Sequence, residues 1–151
     1  IIASFSVKLR VGLPLGNLTS QLFVNIYMNE FDQFVKHKLK EKYYIRYADD
    51  FVILSNNQKE LENLISSIRS FLSEKLKLEL HPQKVTIKTL VSGVDFLGWV
   101  NFPDNRILRT ATKRRIIRRI KNMSMPATIN SYLGLLKHGD THKLYLRYLH
   151  R

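Results

Sequence analysis

Two runs of β-forming residues lie so close together that the chain between them has to reverse direction. Residues 43–47 and 51–54 are rich in Tyr, Ile, Phe and Val, and only Ala48, Asp49 and Asp50 separate them. Aromatic and β-branched residues favour strands, and so short a connection indicates an antiparallel hairpin. The sequence therefore predicts a β-hairpin with an acidic turn.

The two adjacent carboxylates of this turn, Asp49 and Asp50, constrain its chemistry. Neighbouring negative charges repel each other and bind protons more tightly unless a cation neutralises them. Mg2+ prefers hard oxygen ligands and often shares phosphate oxygens with a substrate, so a divalent ion relieves this repulsion. Acidic residues are also ordinary turn formers, and a solvated turn is the alternative interpretation.

Amphipathic helices are predicted on both sides of the hairpin. Apolar residues at 22–35 recur at helical spacing, which predicts a helix that is capped by Asn17 or Thr19 and ends near Leu39. A clearer apolar stripe at residues 61–76 predicts a second helix after Asn57. Glu60 follows Asn57 by three residues, which is the spacing of a capping box. Short strands are then expected around a turn at His81-Pro82.

The last third of the chain combines a hairpin with helices. Strands at residues 96–102 and 107–109 are predicted on either side of a turn that starts at Pro103. From Thr110 the pattern becomes helical, and Pro126 separates this helix from a further one. The order of elements predicts an α+β fold with a small helical module at its end.

Positive charge is concentrated in the same third. The chain has 25 Lys and Arg against 12 Asp and Glu, a net charge of +13, and +10 of this falls beyond residue 100. A polyanion is the default partner of such a surface. Because few acids balance these charges, we expect contacts with nucleic-acid phosphates rather than a merely solvated helix face. The residues concerned are Arg114, Arg115, Arg118, Arg119 and Lys121.

Other classes of protein are disfavoured by composition. No run approaches the roughly 18 to 20 apolar residues that a membrane span requires, so no membrane partner is expected. The chain has zero cysteines, which excludes disulfide scaffolds, thiolate zinc sites and cysteine nucleophiles and fits a reducing cytoplasmic setting.

Four blocks of the sequence resemble reverse transcriptases in their order and spacing. The Tyr-Ala-Asp-Asp segment at residues 47–50, followed by an apolar strand, resembles the catalytic hairpin of that family. Residues 12–21 resemble the upstream motif that holds the template and the incoming nucleotide. Residues 80–84 resemble the lysine motif, and residues 96–99 resemble the primer-grip hairpin.

The resemblance implies a partial, ferredoxin-like palm over residues 1–109 and a partial, basic helical thumb over residues 110–151. The family also has a third catalytic aspartate on a strand upstream of the first block, whereas the 11 residues before Gly12 contain no acid. We therefore expect the first, central strand of the palm sheet to be missing, with unpaired edges in its place. On this reading the chain is the carboxy-terminal part of a larger polymerase, marginally stable and inactive alone.

The resemblance also assigns roles to residues. Asp49 and Asp50 are implied ligands of two Mg2+ ions, with Mn2+ as an alternative, in an RNA-directed DNA polymerase. Its implied partners are an RNA template, a DNA or RNA primer and deoxynucleoside triphosphates (dNTPs). The implied nucleotide and template contacts are Leu15, Gly16, Asn17, Ser20, Gln21, Tyr47 and Lys84, and the implied primer grip is Phe96, Leu97, Gly98 and Trp99.

Each of these roles has a plainer alternative. Tyr47 also suits an ordinary strand, and Lys84 also suits a solvated surface. Alternation along a strand predicts that Leu97 and Trp99 share one face, where they would serve equally well as core residues.

A departure from the usual family pattern indicates a subgroup. Most reverse transcriptases have Gln-Gly and Ser-Pro where this chain has Leu15-Gly16 and Ser20-Gln21. The variant is similar to diversity-generating retroelements, whose enzymes copy RNA with frequent errors opposite adenine and use an accessory nucleic-acid-binding protein. Leu15 lacks the hydrogen-bonding amide of Gln, which favours looser discrimination. An intron-type maturase and a non-catalytic nucleic-acid-binding module are the alternatives.

Overall fold

The computed structural model describes residues 2–6, 17–122, 126–142 and 146. They form two compact units, Ile1–Ile87 and Lys88–Arg151, and the mixture of helices with two antiparallel sheets confirms the α+β class. The boundary between the units precedes the one expected after residue 109, because the second sheet packs with the helices that follow it. A palm–thumb boundary at residue 109 stays a prediction.

Four antiparallel strands form the sheet of the first unit. They are β1 (Ile2–Ser6), β2 (Tyr44–Tyr47), β3 (Asp50–Ile53) and β4 (Glu79–Leu80), and their spatial order is β2-β3-β1-β4. The predicted hairpin is β2–β3, in which Tyr44 pairs with Ile53 and Tyr47 pairs with Asp50. The hairpin is therefore confirmed, and Asp50 belongs to the strand rather than to the turn.

The centre of this sheet is occupied. β1 lies between β3 and β4, with Ala3 opposite Phe51 and Phe5 opposite Leu80. The expectation of a missing central strand with unpaired edges is therefore wrong for this sheet. The centre is occupied because the backbone donors and acceptors of β3 and β4 pair with those of β1. This strand carries no acidic residue.

The first predicted helix is confirmed with an interruption at Met28. It consists of α1 (Leu18–Tyr27), α2 (Asn29–Gln33) and a π-helical turn at Phe34–Lys38. Asn17 is its N-cap residue, although the side chain makes no capping hydrogen bond. The apolar stripe is buried only from Met28 onward, since Leu22, Phe23, Ile26 and Tyr27 of α1 are half exposed or more.

The second predicted helix is α3 (Gln58–Phe71), which continues as a π-helical turn over Leu72–Leu76. Asn57 caps it as predicted, accepting hydrogen bonds from the N–H groups of Lys59 and Glu60. Its buried stripe packs with α2 and β3 to form the core of the first unit. The residues of this core with no exposed surface are Phe31, Val35, Phe51, Ile53, Ile68 and Leu72.

The second unit contains three short strands followed by two helices. They are β5 (Val94–Phe96), β6 (Trp99–Asn101), β7 (Arg106–Leu108), α4 (Thr110–Asn122) and α5 (Pro126–Leu136). The strands form an antiparallel sheet in sequence order, and Trp99, Leu108, Ile116 and Leu136 form the core beneath it. None of the described helices is long and apolar enough to cross a membrane.

One predicted strand is divided in two. Residues 96–102 were expected to be continuous, with Leu97 and Trp99 on one face, but the chain reverses at Leu97 and Gly98. Both residues have positive φ, 54° and 83°, and Phe96 pairs directly with Trp99 across the turn. The prediction that Leu97 and Trp99 share one face is therefore wrong, since Trp99 is 8% exposed and Leu97 is 49% exposed.

Candidate active site

The tip of the β2–β3 hairpin is a loop of two residues, Ala48 and Asp49. Ala48 has a φ of 50°, a left-handed conformation that residues with a side chain seldom adopt. A positive φ at the first loop position matches the twist of the two strands. The turn leaves Asp49 exposed at the tip and places Asp50 at the start of β3, half-buried.

Alternation along the hairpin separates a core face from a second face, on which Val52 is also buried but Ile45 and Tyr47 are exposed. We name the end of this second face, at Tyr47 and Asp50, the open face. Phe51 and Ile53 of β3 are fully buried, so Asp50 points to the opposite side of the sheet. Tyr47 is the cross-strand partner of Asp50 and is 56% exposed. Directly opposed residues of two strands have neighbouring side chains. The structure thus brings Tyr47 and Asp50 together on the open face, next to Asp49.

The donors at this tip fit a magnesium ion that is shared with a substrate. Mg2+ in proteins usually keeps several waters and is held by one or two carboxylates together with phosphate oxygens. Asp49 and Asp50 supply that number of carboxylates. Among the described residues, no group of three or more acidic or histidine side chains is placed to hold a metal ion. Asp49 and Asp50 are thus the residues of the hairpin that could hold a divalent ion.

An ion pair lies directly behind the turn. Arg46 donates from Nε and Nη2 to the two carboxylate oxygens of Asp32, at 2.8 and 2.6 Å. Its Nη1 donates to the carbonyl oxygen of Ala48 at 2.8 Å and to Oδ1 of Asn25 at 3.2 Å. The arginine side chain is only 8% exposed. One guanidinium thus connects α1 and α2 with the tip of the hairpin.

Tyr44 completes this network, because its hydroxyl donates to Oδ1 of Asp32 at 2.6 Å. Burial alone would raise the pKa of Asp32, but the hydrogen bonds from Arg46 and Tyr44 outweigh it and hold the pKa below the usual 3.8. Burial and the bond to Asp32 raise the pKa of Tyr44 well above its ordinary value. The bond to Asp32 also raises the pKa of Arg46. At neutral pH the network therefore contains one carboxylate, one guanidinium and one neutral phenol.

Sequence reasoning missed this network. The available signal was the position of Arg46, two residues after Tyr44 in a strand. Alternation places both side chains on the face of the strand that is turned to the core. A charge at such a position requires a partner. The partner, Asp32, lies 14 residues away on a helix, and the sequence does not identify it.

The other predicted nucleotide and template contacts lie on two elements of the first unit. Asn17, Ser20 and Gln21 are at the beginning of α1, where Ser20 is buried and the other two are exposed. Lys84 is exposed in the turn after β4, and its N–H donates to the carbonyl oxygen of His81 at 3.0 Å. Their roles stay predictions. Leu15 and Gly16 lie outside the described residues.

The predicted primer grip lines a cavity within the second unit. Phe96, Leu97 and Trp99 border this cavity of about 330 Å3, together with Asn101, Arg106 and His138. The guanidinium of Arg106 lies over the Trp99 ring, 5.3 Å from its centre. Trp99 is a core residue, as the plainer interpretation had it, whereas Leu97 projects at the turn.

Four predicted phosphate contacts form one exposed surface on α4, which we name the basic face: Arg114, Arg115, Arg118 and Arg119. Ile116 is buried on the other side of the helix, so the amphipathic pattern is confirmed. Arg119 donates to the hydroxyl of Tyr132 at 3.1 Å. The side chain of Lys121 lies outside the described part of the structure.

Comparison with known proteins decides the family. Residues 4–101 match the family model described as reverse transcriptase (RNA-dependent DNA polymerase). The chain belongs to the reverse transcriptase family. The match includes the β2–β3 hairpin with Asp49 and Asp50 and ends at Asn101, the last residue of β6.

Relatives of this reverse transcriptase chain include proteins of introns. The group II intron-encoded protein LtrA of Lactococcus lactis subsp. cremoris is 36% identical, over 48% of the chain and 12% of LtrA. A COX1/OXI3 intron 2 protein of Saccharomyces cerevisiae is 36% identical, over 40% of the chain and 7% of that protein. Protein YkfC of Escherichia coli is 29% identical, over 58% of the chain and 31% of YkfC. The chain thus spans less than a third of these relatives, and its intron-like type is supported.

Proposed function

We propose that the protein containing this chain is an RNA-directed DNA polymerase that copies an RNA template into cDNA. It would extend a DNA or RNA primer with dNTPs by two-metal nucleotidyl transfer. The observation that carries the proposal is the pair Asp49 and Asp50 at the tip of a hairpin anchored in a packed core, in a chain of the reverse transcriptase family. The chain alone is proposed to be inactive, for want of the upstream aspartate.

The proposed chemistry divides among the residues of the open face. Asp49 and Asp50 would hold two Mg2+ ions, or Mn2+ in their place, at the tip of the hairpin. Such ions, when bound, activate the primer 3′-hydroxyl and neutralise charge on the departing pyrophosphate. The backbone pairs of Asp50 with β1 and β2 fix its position, which is what a catalytic carboxylate requires. The exposed Tyr47 ring packs beside the primer end.

Nucleic acid and nucleotide are held by the remaining predicted contacts. The start of α1 and Lys84 bind template and triphosphate, and the turn at Leu97 and Gly98 supports the primer. The basic face binds phosphates without reading sequence, because guanidinium groups contact the backbone and release counterions. The cytoplasm is the proposed compartment, since the chain has zero cysteines.

Two subgroups compete, each supported by a specific observation. Leu15-Gly16 and Ser20-Gln21 favour an error-prone retroelement enzyme with an accessory nucleic-acid-binding protein. The identity with LtrA, a group II intron-encoded protein, favours an intron-type maturase. The two differ in their errors, because only the first is expected to concentrate misincorporation opposite adenine.

Primer extension by the full-length protein on an RNA template with Mg2+ tests the proposal. The double variant Asp49→Asn, Asp50→Asn keeps the shape of both side chains and removes their charge, so we expect product formation to disappear. Asp104→Asn is the matched control, because Asp104 is an exposed carboxylate in another hairpin turn, and it should leave extension unchanged. A wild type that binds RNA without extending a primer would favour the non-catalytic binding module.

A further inference from the structure

The peptide that joins Ala48 to Asp49 is held by a side chain. Arg46 Nη1 donates to the carbonyl oxygen of Ala48 at 2.8 Å, and this carbonyl belongs to the same planar unit as the N–H of Asp49. The orientation of that plane decides where the Asp49 side chain leaves the backbone. A bond to this carbonyl therefore acts on the placement of the carboxylate at the tip.

The same bond stabilises an unfavourable backbone conformation. Ala48 has a φ of 50°, which a residue with a side chain adopts at an energetic cost. Neither strand ladder includes Ala48 or Asp49, since the pairing between β2 and β3 stops at Tyr47 and Asp50. The bond from Arg46 is thus a constraint on the loop that the sheet itself does not supply.

Arg46 can impose this constraint because it is immobilised on its other side. Two parallel hydrogen bonds lock its guanidinium to Asp32, and Asn25 accepts a further bond. Asp32 in turn accepts from the buried Tyr44 and follows Phe31, which has no exposed surface. A planar guanidinium with several donors can bond to both a carboxylate and a carbonyl, whereas a lysine offers a point charge on a flexible chain.

We propose that Arg46, oriented by Asp32, is a positioning residue for nucleotidyl transfer, which fixes the Ala48–Asp49 peptide and with it the metal-binding carboxylate. This inference rests on the proposed polymerase function. It adds that the site depends on a charge pair outside the Tyr-Ala-Asp-Asp segment. Loss of the pair should loosen the tip, weaken metal binding and slow the chemical step, while contacts elsewhere with primer and template remain.

The test compares Arg46→Lys and Asp32→Asn with the wild type, in the full-length protein. Arg69→Lys is the matched control, because Arg69 is an exposed arginine of α3 in the same unit. Each variant is first checked for folding by circular dichroism. Turnover, KM for primer–template and the Mg2+ concentration for half-maximal activity are then measured, and Mn2+ binding is titrated by electron paramagnetic resonance without substrate.

We expect folded Arg46→Lys to lose about 10- to 100-fold in kcat, as small misplacements of a reacting group do. Half-maximal activity should need several-fold more Mg2+, and the Kd for Mn2+ should rise by a similar factor, while KM for primer–template changes less than about twofold. Arg69→Lys should match the wild type. Should Arg46→Lys fail to fold, Asp32→Asn, which retains the shape of the side chain, is measured in the same way.

Two failures can be told apart. A wild type without polymerase activity would contradict the proposed function. If the wild type is active, the comparison of the variants with it tests the positioning role of Arg46. Folded Arg46→Lys or Asp32→Asn with wild-type kcat and unchanged Mn2+ affinity would overturn the positioning role and leave the polymerase intact. A fall in thermal stability alone, with both functional values unchanged, would show that the pair is only structural.

Discussion

Asp32→Asn removes a charge from the network behind the β2–β3 turn without changing the shape of the side chain. It leaves the Arg46 guanidinium, only 8% exposed, without its anionic partner. Removing one partner of a fully buried ion pair destabilises a protein by about 3 to 5 kcal/mol. Asp32 is 31% exposed and Arg46 keeps its bonds to Ala48 and Asn25, so we expect about 2 to 3 kcal/mol.

The loss should depend on pH in a defined direction. The folded protein holds the pKa of Asp32 below the usual 3.8, so the ionised form stabilises the fold. This stabilisation is fully present above the unfolded pKa, near 4, and is lost as the pH falls through the lower folded pKa. The difference between wild type and Asp32→Asn should therefore be large at pH 7 and shrink as the pH falls below about 4.

Urea unfolding of the 151-residue chain, followed by circular dichroism between pH 7 and pH 3, measures both quantities. Arg69→Gln serves as the control for removing a surface charge from the same unit. The reasoning would be refuted by a difference below about 0.5 kcal/mol at pH 7, the range of ordinary surface changes. A difference that stays constant down to pH 3 would refute the assignment of the effect to the carboxylate charge.

Three further variants probe the second unit. Gly139→Ala should destabilise it by about 2 kcal/mol or more in thermal melts, because an added Cβ would lie 2.2 Å from the Trp99 ring; a wild-type melting temperature would contradict this. Leu97→Gly should stabilise it by about 1 kcal/mol, because φ is 54° there, and a lower melting temperature would contradict this. Replacing the four arginines of the basic face by Gln should make RNA binding less sensitive to salt. The slope of log K against log salt concentration should become shallower by up to about 0.7 to 0.9 for each phosphate contact removed, and an unchanged slope would count against phosphate contact.

The parts of the fold that the sequence predicts are those fixed by local pattern. The short connection at residues 47–50 predicts a hairpin, because the two strands have no room for another connection. The apolar stripe after Asn57 predicts an amphipathic helix with one buried face. The exposed position of Asp49 at the tip follows from the same local reasoning, while the metal-binding role of Asp49 and Asp50 stays a prediction. Pro126 and the apolar spacing after it likewise predict α5, which is confirmed.

The parts that the sequence does not predict depend on distant or rare features. Residues 2–6 are too few for their sequence to show the alternation of a strand. They form β1 because their backbone pairs with the edges of β3 and β4, which are distant in sequence. A turn at Leu97 was not expected, because leucine seldom adopts positive φ. The bond between Arg46 and Asp32 joins residues 14 apart in sequence and exists only after the helix packs on the sheet.

The most direct test of metal binding by the hairpin is a change of metal preference. The chain has no cysteine, so Asp49→Cys introduces a single thiol at the tip. Thiolate ligands favour softer ions than Mg2+. In single-nucleotide extension by the full-length protein, we predict at least about 100-fold less activity with Mg2+, and partial recovery when Mn2+ or Cd2+ is added. Wild-type activity of Asp49→Cys with Mg2+ alone would contradict the role of Asp49 as a metal ligand.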